Sequence, residues 1–194
     1  MEPHESHELV ESIEKHQHEN NRAALIISIF AMVLAINNVG GANSTKDATQ
    51  NNIKAANMYS FFQAKSVRQS SINLAIDDLK LQLIKQPSMS EEAKEAISKK
   101  IEEYEKRAAR YESDPETKEG KVELLEKAKR FEEERDLALK RDPWFDYSEG
   151  ILQIAIVLLS VSILASLPLL FWVGCGIGGI GLVGMLNGFF LFLG

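Results

Sequence analysis

From Gly150 to Gly194 the chain runs about 45 residues without a single Asp, Glu, Lys, Arg or His. Uninterrupted apolar sequence of that length has no use in a water-soluble core, but a hydrocarbon layer about 30 Å thick demands it. As one helix it would extend roughly 67 Å at about 1.5 Å per residue, twice what one crossing needs. Pro168 stands where a reversal would fall. Residues 149–194 therefore read as a transmembrane hairpin of two helices, roughly 149–167 and 169–194.

Every formal charge lies before Gly150, and the net charge is −6. The composition thus describes two phases of one molecule rather than one globular core. No part is basic, so nucleic acid is not an expected partner. The single cysteine, Cys175, cannot form an intrachain disulfide. No cleavable leader is expected, since the first apolar run begins only near Ala23, behind an acidic segment.

Residues 1–21 form an acidic tail holding all four histidines, His4, His7, His16 and His18. Their spacing closes no ligand set, so no metal site is assigned and a solvated, partly disordered tail is expected. Residues 22–41 (RAALIISIFAMVLAINNVGG) hold an apolar core of about 14 residues, Ala23 to Ile36. That is short for a crossing, but Arg22 can snorkel and the next residues are uncharged, so a first transmembrane helix is expected here. Asn37, Asn38, Gly40 and Gly41 are expected at its far interface, where the helix can loosen.

Residues 42–148 read as a coiled-coil helical hairpin. Met58, Phe62, Ile72, Ile76, Leu79 and Leu83 follow alternating four-three spacing, with Lys65 and Gln69 at the intervening seam positions. Pro87 ends this arm, placing the turn near 87–89; Ser88 with Glu91 forms a candidate capping box, and Ser90 is a rival N-cap. The return arm carries Ile97, Ile101, Tyr104, Ala108 and Tyr111 in the same register, breaks near 114–120 (DPETKEG), and resumes with Leu124, Ala128 and Phe131. It exceeds the outgoing arm by about seven residues, the length of that break, so 114–120 reads as a local loop between paired arms. The arm is expected to end at Asp142-Pro143, and Trp144, Phe145 and Tyr147 then read as an aromatic belt at the membrane interface.

The blocks NNIKAANMYSFFQAKSVRQSS, ARYESDPETKEGK, ERDLAL and SEGILQIAIVLLSVSIL together resemble the prokaryotic membrane-protein family catalogued as domain of unknown function 4337. The FFQAK-x-x-R and RYESDP blocks are the specific ones, and the likeness covers most of the chain after about residue 22. Members usually carry Trp where this chain has Tyr59. The resemblance implies a membrane location and no activity, so it transfers no catalytic residue.

Gly176-Ile177-Gly178-Gly179-Ile180-Gly181 matches a dinucleotide fingerprint in letters only, with neither a preceding strand nor an acidic residue to follow. Packing accounts for it better. Gly174, Gly178, Gly181 and Gly188 share one helix face, and Gly184 and Gly188 form a small-x-x-x-small pair. Such a groove lets another helix approach closely, either the chain's own or a neighbour's, and an oligomer held partly by this face is expected. Gln63, Lys65, Arg68 and Gln69 read either as an anionic site or as polar register residues of the seam, the second being favoured. Asn43 opens a formal glycosylation sequon, which means nothing in a prokaryote. No nucleophile–base pair or paired carboxylates can be defended, so no catalytic residue and no cofactor is assigned.

The expected fold class is all-α, with three transmembrane helices and a long antiparallel coiled-coil hairpin between the first and second. The expected function is that of a non-enzymatic membrane scaffold or accessory subunit, acting through homo-oligomerisation, coiled-coil contacts or attachment to a larger membrane complex. The alternative is an oligomeric channel or transporter component. The expected setting is a prokaryotic inner membrane, with the lipid bilayer as a partner. Lys46, Lys54, Arg130, Arg135, Lys140 and Arg141 at the hairpin's feet, against Lys15 and Arg22, lean the hairpin to the cytoplasmic side.

Overall fold

A computed structural model describes the backbone of residues 3–193 and the side chains of residues 20–193. The tail histidines His4, His7, His16 and His18 fall outside the described side chains, and so does the metal question attached to them. The described chain is four α-helices with no strand: α1 (Pro3–Lys85), α2 (Glu91–Glu112), α3 (Lys121–Ala165) and α4 (Pro168–Phe190). It divides into two compact units, Met1–Ala48 with Asp136–Gly194, and Thr49–Arg135.

Three helices are long and apolar enough to cross a membrane. In α1 the charge-free stretch is not the 14-residue core alone. It runs as unbroken helix from Ala23 to Thr45, 23 residues or roughly 34 Å. The expected loosening at Asn37–Gly41 does not occur. Two glycines cost a helix about 1 kcal/mol each, but Gly40 and Gly41 pack against the Phe145 ring, whose burial offsets that cost.

A second expected boundary is also absent. Pro143 lies inside α3 rather than ending it. Proline removes one backbone N–H from the ladder, and bonds from α1 flank the site. Ser44 Oγ donates to the Ala138 carbonyl and Thr45 Oγ1 to Asp142 Oδ1, each at 2.8 Å. α3 closes in a Schellman arrangement, with Ser166 left-handed at φ 51° and the Leu167 N–H bonded to the Ser162 carbonyl. Pro168 then opens α4, as the turn reading expects.

In the unit Thr49–Arg135, α1 ends at Lys85 and α2 begins after Ser90. Ser90 is the N-cap that forms, its hydroxyl accepting from Ala93 N–H at 3.3 Å. Cross-helix contacts run Lys80–Glu105, Gln69–Glu112, Tyr59–Glu132 and Asn52–Arg135, so the two sides are antiparallel. The expected seam residues Met58, Phe62, Ile72, Leu79, Leu83, Ile97 and Tyr104 are half-buried, while Ile76 and Ile101 are buried. Below the break, Leu124 and Ala128 are buried in turn.

The break itself is an ordered loop, Ser113 to Gly120. Glu123 reaches back to accept from Ser113 Oγ at 2.6 Å and from Asp114 N–H at 3.2 Å. Lys118 is left-handed, and its N–H donates to the Asp114 carbonyl at 2.8 Å. Gly120 is buried, and a Cβ there would stand 2.5 Å from Asp114 N and 2.6 Å from Ser113 Cα, so the close approach needs glycine.

Candidate functional site: a glycine-lined helix junction and a polar seam cluster

Phe145 is the centre of the helix junction. A Cβ on Gly40 would come within 2.5 Å of its ring and one on Gly188 within 2.9 Å, so both neighbouring helices need glycine to approach it. Phe189 of α4 meets the ring edge-to-face at 4.9 Å. Phe145 is therefore a core residue, not part of the expected interface belt. Tyr147 is exposed and Trp144 half-buried. The proline inside α3 explains the error: with the helix continuing, Phe145 and Tyr147 fall on different faces.

The expected glycine face of α4 is real, but its occupant is the chain itself. A Cβ at Gly174 would meet Leu159, one at Gly181 would meet Leu152, and one at Gly184 would meet Ser148, all of α3; one at Gly178 would strike Phe30 of α1. The expectation that this groove holds a second copy is corrected. α3 and α1 fill the groove between them. On other faces, a Cβ at Gly150, Gly176 or Gly179 would meet nothing within 4 Å.

Two buried amides accompany this packing. Asn37 Nδ2 donates to the Phe145 carbonyl at 2.8 Å, and Asn187 Oδ1 accepts from Leu193 N–H at 2.7 Å. Asn37 Oδ1 and Asn187 Nδ2 have no hydrogen-bond partner. Asn37, expected at a far interface where the helix loosens, is instead buried within continuous helix. Phe30, whose ring fills the space at Gly178, carried no signal beyond its hydrophobicity.

The second cluster centres on Gln69. Its Nε2 donates to the Ala108 carbonyl at 3.1 Å and to Glu112 Oε2 at 3.0 Å, while Lys121 Nζ donates to Gln69 Oε1 at 3.0 Å and to Glu112 Oε2 at 2.8 Å. Gln69 thus binds the last turn of α2 and the first residue of α3 together, spanning the base of the loop. Lys65 lies 3.7 Å from Glu119 and over the Tyr111 ring, and Lys121 lies over Phe62. Lys65 and Gln69 are thus on the seam, while Gln63 and Arg68 are exposed and apart from it. The Lys121 ammonium, then the Gln69 amide, hold the Glu112 carboxyl below the usual carboxylate range. Arg110 does the same for Asp114, and the Ser113 hydroxyl for Glu123. Tyr59 is pushed up by burial and then by its bond to Glu132. Among the described residues no group of His, Cys, Asp and Glu could hold a metal ion.

Fold and junction together define an all-helical protein with three candidate membrane spans and a separate antiparallel helical unit. The model of the family described as Domain of unknown function (DUF4337) matches residues 19–191. The chain belongs to that family. Comparison with curated proteins and with solved structures gave no match.

Proposed function

We propose that the protein is a non-enzymatic integral membrane scaffold or accessory subunit, acting through self-association along a second coiled-coil stripe of α1. The observation that carries this reading is Ile53, Val67, Leu74 and Leu81, which recur at multiples of seven residues and are 48–70% exposed. They lie off the seam that α1 uses within its own chain. A heptad-spaced apolar row is what a further helix would pack against. Ser60 interrupts the row, and its hydroxyl is satisfied by the Ala56 carbonyl at 2.9 Å, so it brings little unsatisfied polarity into such a contact.

The occupant we favour is a second copy of this chain. Two copies inserted in one membrane share an orientation, so α1 meets α1 in parallel and each stripe residue meets its own counterpart. The coiled-coil character of the paired arms, the prokaryotic inner-membrane setting and the lean of the hairpin to the cytoplasmic side belong to the same proposal. The reaction-free reading is supported by how polar groups are used: Asn37 and Gln69 each tie one helix to another. A channel or transporter would want ionisable groups along a path through the spans. Native mass spectrometry of the detergent-purified full chain tests the proposal, with planar-bilayer conductance as its counterpart. Dimers or higher assemblies without conductance are expected. A strict monomer, or single-channel currents, would contradict it.

A further inference from the structure

A crevice of about 160 Å³ opens at the end of the membrane-span unit where α1 passes the turn between α3 and α4. Among the described residues, Arg22 is the only charged side chain that lines it. Ser162 and Ser166 supply hydroxyls, and Ile163, Phe171 and Trp172 supply apolar wall. Trp172 is 71% exposed and stands edge-to-face against Phe171 at 5.6 Å.

Each part matches one part of an anionic phospholipid. An arginine at the edge of a charge-free helix sits at headgroup depth, and its planar fork is suited to two phosphate oxygens. Tryptophan at that depth has an apolar body that lies against the first acyl carbons. The hydroxyl of Ser162 is already donated to the Leu159 carbonyl at 2.8 Å, which leaves Ser166 as the hydroxyl donor of the turn. Among the described residues, no acidic side chain lines the crevice.

We infer that this crevice is a seat for the phosphate group of an anionic phospholipid, with Arg22 as its charged ligand and Trp172 against the chain below. The inference rests on the reading that the unit lies in a bilayer, which alkaline-carbonate extraction of native membranes checks separately. Release of the chain by carbonate would overturn both.

The test is native mass spectrometry of the full chain in mild detergent with phosphatidylglycerol, phosphatidylcholine or inorganic phosphate as probe. We expect one phosphatidylglycerol retained at least tenfold better than phosphatidylcholine, and not displaced by 10 mM inorganic phosphate (a concentration on the order of ten millimolar suffices to saturate a weak anion site). Arg22→Gln should lower that retention about tenfold, and Arg22→Lys should keep much of it. Ile163→Trp, which fills the crevice without touching charge, should also lower it. Equal retention of the two lipids would overturn the inference, as would indifference to both Arg22→Gln and Ile163→Trp. Displacement by inorganic phosphate would overturn the lipid assignment in favour of a free anion.

Discussion

Asn37 donates its side-chain amide across 2.8 Å to the backbone carbonyl of Phe145, from a position only 1% exposed. The bond ties α1 to α3 at the residue around which α4 also packs. A buried amide in an apolar helix is retained only where it finds such a partner, and here it finds one for its nitrogen and none for Oδ1. The gain is therefore modest. Asn37→Ala should cost about 1 kcal/mol, close to what single interhelical bonds contribute in membranes. Asn37→Asp, which loses the donor and buries a charge, should cost several kcal/mol. Unfolding in mixed detergent micelles measures both; equal stability of the two variants would mean that the amide is not engaged.

Gly40 and Gly188 carry the clearest steric prediction. Replacing either with Leu forces a side chain into the Phe145 ring, an overpacking expected to cost about 1–3 kcal/mol or more. Gly176→Leu on the open face should be nearly neutral for folding. Detergent-unfolding midpoints for the three variants decide this, and the ordering fails if Gly176→Leu is the most damaging. Gly178→Leu with Gly181→Leu should likewise unfold the unit rather than merely separate copies.

In the unit Thr49–Arg135 the buried pair Ile76 and Ile101 gives a second stability test. Truncating either to Ala should cost about 2–5 kcal/mol. Exposed Val122→Ala, off the α1 stripe, should cost little. Thermal melts of the full-length variants, followed by helical circular dichroism, would contradict the assignment if Val122→Ala were the more damaging.

Much of this arrangement is readable from residue spacing alone. The Pro87 turn, the break near 114–120 and the Pro168 reversal each follow from local rules of helix geometry and proline chemistry. What the spacing could not show is what fills a groove. Gly178 is small whether its neighbour is Phe30 of the same chain or a helix of another. Phe145 beside Trp144 and Tyr147 looks like an interface residue until α3 is known to continue through Pro143. Tertiary contacts between α1 and α3, more than 90 residues apart in sequence, overrode the local signals at Gly40, Gly41 and Pro143.

The loop and seam cluster give a pH dependence. Glu112 is held below its ordinary value of 4.5, and Asp114 and Glu123 are shifted the same way. The unfolded chain therefore binds more protons in this window, so stability rises with pH through it. The contribution is complete above about pH 4.5 and is lost as pH falls through the lower folded values. Melting temperature should decline below pH 4.5, and Glu112→Gln should flatten the decline; an unchanged profile in that variant would mean that Lys121 and Gln69 do not stabilise the charged form. Glu112 is exposed, so solvent screening keeps its share of the effect small.

Self-association along the exposed α1 stripe is the central claim, and disulfide trapping in native membranes tests it most directly. In a Cys175→Ser background, cysteines replace Val67 and Leu74 on the stripe or Ile72 on the internal seam, followed by mild oxidation. Parallel pairing predicts dimers from Val67→Cys and from Leu74→Cys, and none from Ile72→Cys. Failure of both stripe cysteines to cross-link, or equal cross-linking from the seam position, would contradict it.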